Sequence, residues 1–436
     1  MAIVIVFVSI GNCLAEGGFG QALIQKERVT REDESSAFVV TMALSLLVSC
    51  LLIVAAPEIA RFFAMPELVR LAQAMAVTFV ISGAGGVPLA LLTKQCRFKE
   101  LALVSGAAAI MSSIVAVVLA VLGWGVWSLV GQAFVSATIG TIVIWVVSAW
   151  RPTRRVRFAS VRRLFRFGIY IAGANILETV LGRLNTLFIG KIYSPVELGF
   201  YARAESTRAF PSYFAGSVLN RSVFPIMAGL GEDKQKLRSA YLKAMDAVLF
   251  VNTPLMLGLA VCAEPLINTL FGSKWSAAAP LLQILALAGI FWLPQLVNTD
   301  VLKAAGEPAQ FFRVELAKKL LLVVTIIVTS QISILAMAWG QVVVNAIAFF
   351  YGLSRAAACL DLGAADQLTR SWRLLLAAAL MSAVASGVLY LTRSDGALAL
   401  ILAGVVGMSV YFASCKFLRV QAMSQMSALV VHALKR

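Results

Sequence analysis

The amino-acid sequence predicts an all-α, polytopic membrane protein made of two helical lobes in parallel repeat, followed by two further helices. Three observations carry this prediction. Hydrophobic residues make up 60% of the 436 and charged residues only 13%, with a mean hydropathy of +0.89, a balance that a water-soluble fold cannot bury. The apolar residues gather into runs near the ~20 residues that a helix needs to cross a bilayer. Three separate stretches recur at offsets of 208, 210 and 209 residues.

In chain order, spans are expected near 1–22, 36–56, 70–92, 101–122, 126–149, 167–190, 197–228, 240–262, 277–300, 309–329, 333–356, 374–392 and 396–415. The opening "MAIVIVFVSI" reads as a span and not as a signal peptide, because it has no basic leader and no small-residue cleavage pattern. All connections are short, so no soluble catalytic domain is expected. The six cysteines, Cys13, Cys50, Cys96, Cys262, Cys359 and Cys415, form no CxxC pair and read as small buried hydrophobes. His432 is the lone histidine, which excludes a histidine metal cluster and a Ser-His-Asp arrangement. "GKI" at Gly190 lacks the glycine spacing and the Ser or Thr of a nucleotide-binding loop. The expectation is therefore no enzyme and no cofactor.

The net charge of +16 is spread over alternate loops. One set holds Lys26, Arg28 and Arg31; Lys94, Arg97 and Lys99; seven arginines from Arg151 to Arg166; Lys234, Lys236 and Arg238; Lys303 and Arg313; Arg355, Arg370 and Arg373; and Lys416, Arg419, Lys435 and Arg436. The other set has little beyond Arg61, Lys191, Lys274 and Arg393. This positive-inside pattern puts the basic loops and the C-terminus in the cytoplasm, against anionic lipid heads. Nucleic acid is disfavoured as a partner, because "RPTRRVRFASVRRLFRF" has few stacking aromatics and lies between two spans.

The repeat pairs "APEIARFF" with "AEPLINTLF", "LAQAMAV" with "LLQILAL", and "GQAFVSA" with "GQVVVNA". An even number of spans separates each pair, so the halves share one orientation. The expected organisation is an N-lobe at 1–150 with five spans, a basic cytoplasmic linker at 151–166, a C-lobe at 167–356 with six spans, and two extra spans with a cytoplasmic tail at 357–436. Carrying the span at 167–190 back by the repeat places its partner before Met1. The expectation is that the first helix of the N-lobe is missing and that Met1 is an internal methionine.

Ionisable groups at bilayer depth cost at least about 2.5–3.5 kcal/mol on insertion scales and mark cavities or partners. The sixth span carries Glu178, Arg183 and Asn185. Glu178 and Asn185 share a face, while Arg183 lies roughly 140° round from Glu178. The seventh carries Arg203, Glu205 and Arg208, then Pro211, Asn220 and Arg221. Either Arg183, Arg203 and Arg208 line one cavity, or Glu205 pairs with Arg208, Glu178 pairs with Arg183, and Arg203 snorkels to the outer interface. In the first case the surplus guanidinium favours an anionic, phosphate-bearing cargo, with Glu178, Asn185 and Glu205 completing the binding set. Lys318 and Lys319 read as an interface anchor, Asp246 and Asp300 as weak cation candidates, and Glu16 as a group near the inner end of its span, beside glycines that permit close packing.

"AEGGFGQALIQ", "GWGVWSLVGQ", "LGFYARAESTRAFP" and "KWSAAAPLLQILALAG" together resemble the Wzx-type polysaccharide flippases. The likeness is to the colanic-acid-exporter branch of the superfamily that also holds multidrug and toxin extruders (MATE) and the lipid II flippase. It implies a MATE-like fold of two six-helix lobes around a central cavity, with two extra helices. It also implies export of an undecaprenyl-pyrophosphate-linked oligosaccharide across the bacterial inner membrane by alternating access, for capsule, exopolysaccharide or lipopolysaccharide O-antigen. The implied partners are that lipid-linked oligosaccharide, membrane lipids and polysaccharide polymerase machinery. A drug or cation antiporter of the same fold would want an acidic cavity, and a membrane polymerase or ligase would want a large outer loop. At its front the chain departs from the pattern, lacking the first helix. A longer open reading frame upstream of Met1 is the expected finding, and an in-frame stop codon directly before it would contradict the expectation.

Overall fold

The computed structural model describes residues 1–25, 29–153, 158–230, 233–392, 396–420 and 423. Lys26, Arg28, Arg154, Arg155, Arg157, Arg393, His432, Lys435 and Arg436 of the charge argument lie outside them. The described residues form fifteen α-helices and one 3₁₀ turn, with no strand among them. By packing, the chain divides into two compact units, Met1–Lys191 and Ile192–Arg436.

The first unit holds α1 (Ala2–Glu16), α2 (Phe19–Gln25), α3 (Arg31–Phe62), α4 (Leu68–Lys94), α5 (Phe98–Val121), α6 (Trp127–Val147) and α7 (Phe158–Ile192), whose last residue begins the second unit. The single span expected at 1–22 is two helices. Gly17 and Gly18 take φ of +54° and +71°, a left-handed path that glycine follows at low cost, and the helix ends there. α3 starts on a capping box in which Thr30 and Asp33 satisfy each other's backbone, and three acidic residues face the positive end of the helix dipole. Phe79, Ala76 and Ala72 of α4 meet Val48, Leu52 and Ala56 of α3 in a buried seam.

The second unit holds α8 (Pro195–Gly229), α9 (Lys234–Val261), α10 (Ala263–Phe271), the 3₁₀ turn Ser273–Ala278, α11 (Ala279–Ala304), α12 (Pro308–Thr329), α13 (Ile334–Cys359), α14 (Ala364–Thr392) and α15 (Ala397–Phe417). Its core joins Tyr241 and Met245 of α9, Leu293 and Val297 of α11, Phe349 and Leu353 of α13, and Tyr411 of α15.

Nine described helices are long and apolar enough to cross a membrane. α7, α8 and α12 have the length, at 35, 35 and 22 residues, but charged residues interrupt their apolar runs. α1, with 15 residues, is shorter.

The two units repeat one packing scheme. In the first, α3 packs on α4, α4 on α6, α5 on α6, and α1 on both α3 and α4. In the second, α9 packs on α11, α11 on α13, α12 on α13, and α8 on both α9 and α11. The repeated glycines mark the same joint. A Cβ on Gly131 would lie 2.5 Å from Leu119 of α5, and one on Gly340 would lie 2.6 Å from Thr325 of α12. Small residues at these points let the paired helices approach closely. The two C-terminal helices pack on each other, and α14 also packs on α9. The fold is thus the expected all-α polytopic one, with two similarly built helical units and extra C-terminal helices.

Pro88, Pro254 and Pro294, three of the prolines inside described helices, have their released carbonyls met from a neighbouring helix. A helical proline cannot donate to the carbonyl four residues earlier, and lipid supplies no substitute donor. Pro88 frees the Ala84 carbonyl, which accepts from Trp145 Nε1 at 2.9 Å. Pro294 frees the Ile290 carbonyl, which accepts from Asn252 Nδ2 at 3.1 Å. Pro254 frees the Phe250 carbonyl, which accepts from Tyr411 OH at 2.7 Å. Tyr411→Phe should lower stability by about 1–3 kcal/mol, the cost of an unpaired buried carbonyl. In the Pro254→Ala background, where an amide can serve that carbonyl, the penalty should largely vanish. Thermal unfolding of the four proteins in detergent checks the cycle, and an equal penalty in both backgrounds would refute it.

Candidate functional site

The sequence argument places functional groups on α7 and α8, which belong to different units. α8 begins on a capping box between Ser194 and Glu197 with Pro195 at its first position, which fixes the register of the polar residues that follow. Tyr201, Glu205, Arg208 and Ser212 recur at helical spacing along one stripe. Tyr201 and Ser212 are buried, and the Tyr201 hydroxyl accepts from Gln341 of α13. Arg208 donates through Nε to Glu205 Oε2 at 3.2 Å, and a second guanidinium nitrogen holds the other carboxylate oxygen. The side chain of Arg208 is 14% exposed and that of Glu205 33%. Gly289 of α11 makes room for Met256 of α9, whose Sδ would lie 2.5 Å from a Cβ there.

Arg203 points elsewhere. Its guanidinium lies 4.5 Å from the ring centre of Phe271 and 5.1 Å from that of Trp275, while Phe200 packs edge-on against Trp275. Its Nε is buried without a hydrogen-bond partner. Gly272, with φ +86°, turns the chain between Phe271 and Trp275 so that both rings reach the same cation. Of the two alternatives for this helix, the structure has Glu205 paired with Arg208, and it gives Arg203 an aromatic seat.

On α7, Glu178 and Arg183 are exposed and Asn185 is buried, with its Oδ1 unpartnered. Within the first unit the helix is tied to α1 through Thr179, whose hydroxyl is 3.2 Å from Cys13 Sγ, and to α3 through Lys191, which donates to the Phe62 carbonyl. The side chains of Asn220 and Arg221 lie outside what the structure describes. Asp300 is held by Lys303 at 3.1 Å, and Asp246 is buried. Among the described residues no group of three or more His, Cys, Asp or Glu could hold a metal ion.

The sequence argument passed over a cavity inside the first unit, of about 620 Å³, whose largely apolar wall is interrupted by polar groups. Three helices each give it two polar residues one turn apart: Asn12 and Glu16 from α1, Thr41 and Ser45 from α3, and Thr78 and Ser82 from α4. Ser105 of α5 and Ser136 and Thr141 of α6 complete the lining. Glu16, Thr41, Gly86 and Leu89 also border a neighbouring cavity of about 150 Å³ that reaches Asn175 of α7. The i, i+4 recurrence of hydroxyl and amide residues on successive spans was the available signal. Single serines and threonines are so ordinary in membrane helices that only their shared spacing marks them.

A model of the family described as polysaccharide biosynthesis protein matches residues 1–280. The teichuronic acid biosynthesis protein TuaB of Bacillus subtilis is 26% identical over 375 residues, covering 85% of this chain and 77% of TuaB. The succinoglycan biosynthesis transport protein ExoT of Rhizobium meliloti is 27% identical over 312 residues, covering 72% of this chain and 63% of ExoT. The lipopolysaccharide biosynthesis protein WzxC of Escherichia coli is 22% identical over 339 residues, covering 76% of this chain and 68% of WzxC. The lipid II flippase MurJ, in an inward closed conformation, has a similar fold, with a TM-score of 0.73 at 15% identity over 96% of this chain and 93% of MurJ. An inward-facing multidrug transporter of the MATE family gives 0.62 at 15% identity over 82% and 89%.

The Glu205 and Arg208 pair generates a test. Glu205→Ala leaves a mostly buried guanidinium uncompensated and should destabilise the protein by about 1–3 kcal/mol, below the figure for a fully buried pair because Glu205 is partly exposed. The double change Glu205→Ala with Arg208→Met should recover most of that loss in thermal unfolding.

Proposed function

Because the chain belongs to the polysaccharide biosynthesis protein family, we propose that it carries a polyprenyl-pyrophosphate-linked oligosaccharide across the bacterial inner membrane. The cargo would serve capsule, exopolysaccharide or O-antigen synthesis. The observation that carries this reading is the family match across 1–280 of a chain built almost wholly of bilayer-length helices. ExoT, a relative by sequence, is named for transport, and the fold is shared with a lipid flippase and a drug exporter. We read the protein as a transporter working by alternating access, with no catalytic role of its own.

The cationic residues have unequal parts in this reading. Arg183 is exposed and offers its guanidinium to a pyrophosphate directly. Arg208 is engaged by Glu205, so it would serve only by trading that carboxylate for phosphate oxygens, a swap that keeps its charge compensated. Arg203, seated on two aromatic rings, stiffens the end of α8 more than it greets cargo. Glu178 and Asn185 share a face of α7 roughly 140° round from Arg183, so in this scheme they would meet another part of the cargo than the pyrophosphate. Partners would be the lipid-linked oligosaccharide, the surrounding lipids and the polymerase that consumes the product.

Reconstitution in liposomes tests the proposal. A fluorescent undecaprenyl-pyrophosphate-linked oligosaccharide should change leaflets faster with the protein than without it. Arg183→Ala should slow that movement about tenfold, as expected for the loss of a charge-assisted contact. Arg203→Ala should reduce thermal stability more than rate. Proton or sodium flux driven by small organic cations, with no movement of the lipid, would favour the rival antiporter and overturn the proposal.

A further inference from the structure

The cavity of the first unit has a chemistry unlike that of a phosphate site. Among the described residues lining it, Glu16 is the only charged one, and the rest of its polar surface is hydroxyl and amide. An anionic head group would meet a carboxylate there and no cation. The cavity volume, about 620 Å³, falls within the ~300–1,000 Å³ of small-molecule sites.

Ser45 belongs to the cavity wall, and its Oγ is fully buried there without a partner, so a ligand would meet it once the side chain turns from Gly83. Gly83 permits this placement, because a Cβ there would lie 2.2 Å from that oxygen. Thr78 spends its proton on the Met75 carbonyl at 2.5 Å, leaving oxygen lone pairs as acceptors. Glu16 is exposed, and its two oxygens can accept from two adjacent hydroxyls of one ligand. Thr41 and Glu16 border both neighbouring cavities, so the polar lining runs from one into the other.

Donors and acceptors spread over five helices around so wide a space suit a neutral ligand that carries many hydroxyls. A bare ion needs its oxygens converged within about 2–2.6 Å. We propose that this cavity is a sugar subsite: it takes the hexose rings of the cargo, while the pyrophosphate is bound by other groups. The proposal rests on the transport reading above and adds the part of the cargo that the first unit recognises.

The test compares two affinities in each purified full-length protein. The probes are undecaprenyl pyrophosphate without sugar and the same lipid carrying one glucose or one galactose, with binding followed by native mass spectrometry or thermophoresis. Wild type should prefer at least one glycosylated lipid over the bare one by about tenfold, as several hydrogen bonds to an uncharged ligand would give. Thr41→Val and Ser82→Ala should each shrink that ratio about threefold or more, for the loss of one such bond. Gly140→Leu, which fills the space without removing a polar group, should abolish the preference. Using a ratio within one protein cancels any general loss of folding.

Free glucose and galactose at high concentration should compete for the glycosylated lipid and not for the bare one. Equal affinity for bare and glycosylated lipids, with binding intact, would overturn the sugar subsite and leave the transport reading standing. Failure to bind any of the lipids would overturn both. A sodium- or pH-dependent change in bare-lipid binding on Thr41→Val, with no change in the ratio, would make the cavity a cation site and refute the proposal.

Discussion

A proline inside a lipid-immersed helix leaves a carbonyl without its backbone donor, and at Pro88, Pro254 and Pro294 a neighbouring helix supplies the replacement. The indole of Trp145, the amide of Asn252 and the phenol of Tyr411 each reach from a neighbouring helix to the carbonyl that a proline has released. Such a donor must come from a side chain held at the right height, so each pairing fixes the axial register of two helices. One of them ties α15 to α9, beside the packing of α14 on the same helix. Dispersion alone would let helices slide, because lipid tails are as apolar as leucine. Hydrogen bonds to exposed backbone do not slide.

Much of this was legible in the sequence. The placement of most long helices followed from runs of apolar residues near bilayer length, although the span expected at 1–22 is two helices and the short α10 was not foreseen. The repeat followed from three matched stretches, and the structure adds that Gly131 and Gly340 occupy equivalent helix–helix joints. The pairing of Glu205 with Arg208 was accessible from spacing, since residues three apart on a helix are neighbours. The break at Gly17–Gly18 was less accessible: the glycines were visible, but a glycine pair within an apolar run serves close packing as readily as a turn.

The seat of Arg203 was not legible. Phe271 and Trp275 lie some seventy residues downstream, and they converge only because Gly272 takes a conformation closed to other residues. The cavity of the first unit was hidden for another reason. Its groups are individually unremarkable hydroxyls, and their meaning emerges only when five helices bring them round one space. Charge draws the eye in an apolar sequence. Here the charged residues of α8 are largely engaged with their own surroundings, while uncharged groups shape the polar interior of the first unit.

The elbow between α1 and α2 has a structural consequence. Two successive glycines at positive φ end the α1 ladder, so α2 takes a direction of its own and seats Phe19, Ala22 and Leu23 against Ala37, Val87 and Leu91. Glu16 is the last residue of α1 before that turn, so the seat of α2 also decides where the end of α1 presents its carboxylate.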